Sequence, residues 1–271
     1  MTANTSSSIQ PTHLTPPIAL SIAGSDSGGG AGIQADLRAF MAFAVHGCTA
    51  LTCVTAQNTL GVTRVDALPP EGLLAQLEAV RGDLDVAAIK TGMLLNAELI
   101  AITATALSNW KRPHVIDPVM VSRTGAELLD PKAVEALRDT LVPQATVLTP
   151  NLHEARLLSG SAIKSPGDAE RAARVIHAQG AESVLIKTGS NPTFEGRDLL
   201  YDGHIHWLDG GWVETPHSHG TGCTLSAAIA AGLAQGQTVP AAISAARIYV
   251  KEGLRQALAI GHGQGPICHW R

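Results

Sequence analysis

Short β-branched runs alternate with longer stretches of helical period along most of this chain, and that alternation restricts it to a mainly parallel sheet beneath covering helices. Runs near 18–23, 48–57, 62–67, 86–90, 113–117, 145–149 and 183–188 read as strands. Helical period falls near 32–45, 70–82, 97–110, 131–141, 151–159 and 168–179. Residues 197–209 read as a hairpin turned at Asp202 and Gly203, and helices near 221–235 and 239–260 follow it. No internal repeat and no Pro/Gly/Ser-rich linker divides the pattern. The expectation is one α/β domain over 18–271, with a mainly parallel central sheet flanked by helices on both faces. Residues 1–17 are rich in Ser, Thr and Pro and lack a basic stretch followed by an apolar one, so a disordered tail is expected there rather than a signal peptide.

Composition removes several function classes. With 271 residues the chain is long enough to bury a sizeable core without metal or disulfide staples. Its 19 basic residues stand against 23 acidic ones, with no basic patch and only 3% aromatics, so nucleic acid is not an expected partner. The longest apolar stretches, such as 225–234, are too short and too broken to span a bilayer. A soluble, cytoplasmic protein is expected. Cys48, Cys53, Cys223 and Cys268 have neither zinc nor redox spacing.

In an open parallel sheet, ligands sit outside the carboxyl ends of the strands. The unusual residues of this chain follow strand ends: Gly24 to Gly32 after the first, Ala56-Gln57-Asn58 after the second, Lys90-Thr91-Gly92-Met93 after the fourth. Asp117-Pro118, Thr149-Pro150-Asn151 and Lys187-Thr188-Gly189 follow later ones. Six loops on one rim would build a single cleft. The first contains no G-x-G-x-x-G register, and no Gly-Lys-Ser/Thr occurs anywhere, which disfavours dinucleotide and Walker readings. Its glycines either make a tight βα turn or let backbone approach a flat ligand closely.

His219-Gly220-Thr221-Gly222-Cys223-Thr224 precedes an Ala-rich helical run. Unpaired amides and the positive dipole end converge there, an arrangement that binds phosphate. Cys223 falls in the first turn, where a thiol pKa is lowered and the thiolate becomes a base or nucleophile; a buried, inert cysteine is the alternative. Asn151 and Glu154 carry the spacing of a helix-capping box, or Glu154 could hold hydrated Mg²⁺. Lys187 ends an apolar strand, either as a snorkelling surface lysine or as a cation for phosphate. The pairs His204/His206 and His217/His219 lack a third metal ligand of matching spacing, so structural or surface roles are expected for them.

Taken in order, Ala23 to Asp36, Ala56 to Thr59, Lys90 to Leu94, Asp117 to Val121, Thr149 to Asn151, His219 to Thr224 and Gly261 to Pro266 carry a family resemblance. The chain resembles the bacterial hydroxymethylpyrimidine/phosphomethylpyrimidine kinases of thiamine biosynthesis, members of the ribokinase-like superfamily. That resemblance spans about residues 18–270. It implies a ribokinase-like fold, a homodimer and ATP-dependent phosphorylation of 4-amino-5-hydroxymethyl-2-methylpyrimidine to its monophosphate and then its diphosphate. It places the pyrimidine against Gly24, Asp36, Gln57, Met93 and Val119, with Gln57 hydrogen-bonding the ring edge. ATP, with Mg²⁺, would lie along Asn151, Lys187, Gly189, Gly220, Thr221 and Gly222. Glu154 and Asp117 would hold the metal, in part through water. Cys223 and Lys187 would be the catalytic pair, Cys223 as an ionised base for the hydroxymethyl proton. The chain departs from the commonest family pattern at His153, Arg123-Thr124 and Thr188-Gly189-Ser190, where Pro, Lys-Ser and Gly-Gly-His are usual. A pyridoxal kinase of the same fold is the nearest rival, and a non-catalytic pyrimidine-binding module the rival from another class.

Overall fold

The computed structural model describes residues 15–120 and 131–270. Most of the tail expected at 1–17, and the Arg123-Thr124 departure, lie outside the described residues. The strands β1 (Ile18–Asp26), β2 (His46–Asn58), β3 (Gly61–Ala67), β4 (Val86–Thr91), β5 (His114–Ile116), β6 (Val147–Leu148), β7 (Val184–Ile186), β8 (Asp198–Tyr201) and β9 (Ile205–Leu208) form one sheet. Its order is β3-β2-β1-β4-β5-β6-β7-β8-β9. The six strands from β2 to β7 in that order pair parallel. Only β3 at one edge and the β8/β9 hairpin at the other pair antiparallel. The fold class read from the sequence is the one observed.

Successive residues of a strand face opposite sides of the sheet, and both sides here are apolar, which demands cover on both. Leu20, Ile22, Ile89, Ile116 and Leu148 pack under α2 (Pro70–Asp83), α3 (Ala97–Ser108), α4 (Pro131–Ala136), α5 (Leu152–Ser159) and α6 (Pro166–Ala178). Their neighbours Ala19, Ala88, Val115, Val147 and Leu185 pack under α1 (Gly32–Ala42), α7 (Thr221–Ala234) and α8 (Val239–Arg255). Every residue of α7 from Thr224 to Ala234 is buried. The apolar run at 225–234 is therefore a core helix, hydrophobic all round, and no helix among the described residues is long and apolar enough to cross a membrane.

Two sequence expectations change. The helix read at 131–141 breaks after Ala136 into a wide turn over Leu137–Leu141 and a tight one over Val142–Gln144. Pro143 explains the break, because its ring has no N–H to donate and clashes with the carbonyl four residues earlier. The last helix ends at Arg255 rather than near 260. Beyond it the chain doubles back: Leu258 N–H donates to Pro266 O, and Cys268 N–H to Gly253 O. The returning segment also takes the β2–β3 turn and the loop before α7 in hand, with Gln264 N–H donating to Thr59 O, His219 N–H to Gly265 O, and Ile267 N–H to His219 O.

Next in that segment, His269 is 4% exposed with Nε2 2.9 Å from Thr224 Oγ1. Burial first, and then the charge of Arg38, push its pKa down to about 4. The unfolded chain takes up a proton near the ordinary value of 6.5 that the folded chain refuses until about 4. Stability from this group is therefore present above pH 6.5 and lost as pH falls toward 4, by about 3 kcal/mol for a shift of this size. His269→Gln, which keeps an N–H donor, is expected to flatten the acid limb of a urea-midpoint-against-pH curve by that amount. An unchanged limb would show that the imidazole is not held neutral.

Candidate active site

The loops leaving the carboxyl ends of β1, β2, β4, β5, β6 and β7 gather with the start of α7 around one cavity of about 1020 Å³. This is the single cleft expected from the six strand-end loops. Its lining joins the charged cluster of Asp117, Glu154 and Lys187 to apolar side chains such as Val62, Val65, Met93 and Val119.

Helix α7 begins with Gly220 at φ +79°. A Cβ there would stand 1.8 Å from Gly30 O, so no other residue fits where the two loops cross. Gly220→Ala is expected to lower the melting temperature by at least about 2 °C, since left-handed backbone alone costs ~1–2 kcal/mol. An unshifted calorimetric midpoint would mean that the loops are not in this contact. Gly220, Thr221 and Gly222 line the cavity, as do Asn151, Gly189 and Lys187. Lys187 is no snorkelling surface lysine. Its side chain is 15% exposed, and Nζ lies 2.8 Å from Asp117 Oδ1 and 3.4 Å from where a Cβ on Gly222 would be. Burial opposes its charge, but Asp117 and Glu154 outweigh that and hold its pKa above the ordinary lysine value.

Asp117 is 2% exposed and also receives Thr149 Oγ1 at 3.2 Å and Ser226 Oγ at 3.2 Å. Burial raises its carboxyl, but Lys187 and Lys90 prevail and keep it below the ordinary range. Glu154 behaves oppositely. Burial, with Asp117 adding to it and Lys187 opposing, pushes its pKa up to about 7. Its Oε2 accepts Asn151 N–H at 2.8 Å while Asn151 Oδ1 accepts the amides of His153 and Glu154, a complete capping box. The capping explanation for Asn151 and Glu154 thus holds, and both residues still line the cavity.

Gly24, Gln57, Met93 and Val119 line the same cavity, as does Cys223 in the first turn of α7. Two expectations need correction. Asp36 does not line the cavity: it is 0% exposed, with its carboxylate held beneath the wall by Lys90 Nζ at 2.7 and 2.9 Å and Ser21 Oγ at 2.5 Å. The Cys223 thiol is not lowered by the helix start. Burial, together with the charges of Asp36 and Asp117, pushes it up to about 11 against the opposing charge of Lys90. At rest Sγ carries its proton at neutral pH.

Comparison with known proteins bears on this arrangement. The model of the family described as phosphomethylpyrimidine kinase matches residues 26–268. The chain belongs to the phosphomethylpyrimidine kinase family. A hydroxymethylpyrimidine/phosphomethylpyrimidine kinase of Synechococcus elongatus is 57% identical over 94% of this chain and 97% of its own length. One from Rhizobium meliloti is 50% identical over 93% and 97%. Among solved structures, the Bacillus subtilis pyridoxal kinase in an ADP complex superposes with a TM-score of 0.88 at 41% identity, over 94% of this chain and 98% of that one. A Clostridium difficile phosphomethylpyrimidine kinase gives 0.78 at 38%, over 87% and 98%. This phosphomethylpyrimidine kinase family member therefore has the ribokinase-like architecture that its motifs implied.

Within the family member's cavity, sequence reasoning missed Lys90 as a site residue. Lys90 is 0% exposed, and burial works against its charge, yet Asp36 first, then Cys223 and Asp117, raise its pKa. The signal was available, since Lys90 ends a buried parallel strand just as Lys187 does. His219 was also expected to be structural or on the surface. It lies on the cavity wall instead, Nε2 2.8 Å from Asp26 Oδ2. His206 does fit the expectation, half-exposed on the β8/β9 hairpin and paired with Asp202 at 3.1 Å.

Proposed function

We propose that this protein transfers the γ-phosphoryl group of ATP to the hydroxymethyl oxygen of 4-amino-5-hydroxymethyl-2-methylpyrimidine, and then a second phosphoryl group to the monophosphate so formed, in the route to thiamine diphosphate. The observation that carries this reading is one cavity lined by both kinds of surface. An apolar wall bearing a few fixed polar groups suits a neutral planar heterocycle, and it meets a helix start flanked by a buried lysine, which suits phosphate. Cys223, in the first turn of that helix, lines the same cavity.

In the first transfer the alcohol oxygen attacks the γ-phosphorus, the bond to ADP breaks, and Sγ of Cys223, once deprotonated, takes the hydroxyl proton. Amides of Gly220 and Gly222 hold the transferring oxygens, Thr221 lines the loop between them with its own N–H on Ser218 O, and Lys187 and Asn151 lie at the nucleotide phosphates with Gly189 beside them. Catalysis of this kind is positioning and charge stabilisation. In the second transfer a phosphate oxygen of the monophosphate is the nucleophile. Its second pKa near 6 leaves it ionised at neutral pH, so no base is needed.

Mg²⁺ keeps several waters and takes only one or two carboxylates besides substrate phosphates. The donor set fits that demand: Asp117 and Glu154 line the cavity together, while no group of three metal-ligating side chains occurs among the described residues. These two carboxylates would hold the ion, directly or through water, and bound there it would supply positive charge to the phosphate oxygens. We also infer a cytoplasmic location and a homodimer; light scattering of the purified protein tests the dimer, and cell fractionation the location.

The decisive experiment is product analysis with MgATP and the hydroxymethylpyrimidine, resolving mono- from diphosphate. Both products are expected, in that order. The pyridoxal kinase reading keeps one specific support, the close superposition on the Bacillus subtilis enzyme. Faster turnover of pyridoxal than of the pyrimidine in paired assays would establish it instead.

A further inference from the structure

Asp26 is 3% exposed and gathers four donors: Gly28 N–H at 2.8 Å on Oδ1, and Gly30 N–H at 3.0 Å, Ala31 N–H at 2.8 Å and His219 at 2.8 Å on Oδ2. Burial raises this carboxyl, but the His219 contact and the loop amides outweigh burial and leave it below the ordinary range. An ionised carboxylate only accepts hydrogen bonds. Nε2 of His219 therefore carries the proton and gives it to Asp26, and the imidazole has no lone pair at that atom for anyone else.

That assignment has a consequence for Gln57. Its Nε2 stands 3.2 Å from the same His219 Nε2, so two donors face each other. At the other side of the amide, Thr55 Oγ1 has one proton but two acceptors within reach, Ser25 O at 2.9 Å and Gln57 Oε1 at 3.2 Å. A half-turn of the Gln57 amide replaces the donor–donor clash by an attractive contact and relieves Thr55 of its second acceptor. Its oxygen then takes a minor, three-centre share of the His219 proton that Asp26 holds at the shorter distance, and its nitrogen donates to the Thr55 hydroxyl, whose own proton stays on Ser25 O. Side-chain amides are oriented by such networks.

We propose that His219, fixed by Asp26, is a positioning residue that sets the order in which the Gln57 amide presents acceptor and donor to the bound ring. This rests on the reading of the cavity as an aminopyrimidine site. A locked amide matches a ring edge with an exocyclic amine beside a ring nitrogen, and it leaves an unmatched group against a pyridine alcohol that lacks that amine. An amide free to turn would serve both rings more evenly.

The test is calorimetric binding, without nucleotide, of the hydroxymethylpyrimidine and of pyridoxine to the wild type, His219→Phe and His219→Gln. The wild type is expected to prefer the pyrimidine, His219→Phe to lose that preference by about tenfold or more, and His219→Gln, which keeps an N–H for Asp26, to retain most of it. A purely structural role would weaken both ligands alike and leave the ratio unmoved, which overturns the inference. Nitrogen-15 NMR of the wild-type imidazole gives a reading independent of any variant. A protonated, pyrrole-type Nε2 is expected, and a pyridine-type Nε2 overturns the inference even if a variant fails to fold. A wild type that binds neither ring defeats the proposed function itself, and this inference falls with it.

Discussion

Cys223→Ala is expected to slow phosphorylation of the alcohol by about 10²–10⁴-fold, the usual contribution of a general base, while the second transfer slows far less. The two steps differ in what the nucleophile must lose. A hydroxymethyl oxygen has to shed a proton as it attacks phosphorus, whereas the phosphate of the monophosphate is already ionised. The structure adds a pH signature. With the thiol pushed up to about 11, only a small fraction is thiolate near neutrality, and that fraction grows with each unit of alkalinity. The first transfer in the wild type should therefore climb as pH rises through the alkaline range, and the second should be flat above about pH 7. In Cys223→Ala the climb should vanish. Separate assays started from the alcohol and from the monophosphate make the comparison. Equal slowing of the two steps, or a climb that survives the substitution, would remove Cys223 from the role of base.

Breaking the Lys90–Asp36 pair should have the largest effect on stability. Both side chains are 0% exposed, and Nζ lies 2.7 Å from Oδ2. Taking away one partner of a buried pair strands the other charge, at a cost of about 3–5 kcal/mol, while replacing both by apolar groups of similar volume is much milder. Lys90→Met and Asp36→Asn should each lower the urea midpoint strongly, and Lys90→Met/Asp36→Leu should recover much of the loss. Strictly additive single effects would show that the pair is not the unit. Asp36 and Lys90 also act on Cys223 in opposite directions. Among variants that stay folded, Lys90→Met should make the thiol harder to ionise and Asp36→Asn easier, as followed by pH-dependent alkylation.

The fold was legible because period and punctuation agree along most of the chain. Strands and helices fall where β-branched runs and 3.6-residue spacing put them, and even the short β8/β9 hairpin turns at Asp202 and Gly203 as read. What local pattern could not express was tertiary demand. Pro143 unwinds the end of the helix after α4, and the return of residues 258–268 along α8 ends that helix early. Place in the cavity was legible where residue type coincides with a strand end or a helix start, as at Lys187, Gln57 and the Gly220–Gly222 loop, all of which line it. The site was not legible where chemistry depends on which charges meet after folding. Asp36 had the right motif but sits one layer below the cavity, held by a lysine 54 positions away. The thiol of Cys223 had the right helix start, yet the carboxylates of Asp36 and Asp117 that oppose its ionisation come from other segments of the chain. His219 drew attention as a possible metal ligand, while its partners Asp26 and Gln57 lie more than 160 residues earlier.

The return of residues 258–268 joins Thr59, two residues after Gln57, to His219, just before the start of α7. Two loops of the cavity are thus tied together by a stretch that is synthesised after all nine strands and α8. The sheet can form and α7 can be buried while these two loops are still untethered, so the cavity wall is completed only after the scaffold beneath it. Exposed residues Ala259 to His262 sit at the bend of that stretch, ahead of the buried residues 265–269 that carry the contacts to His219.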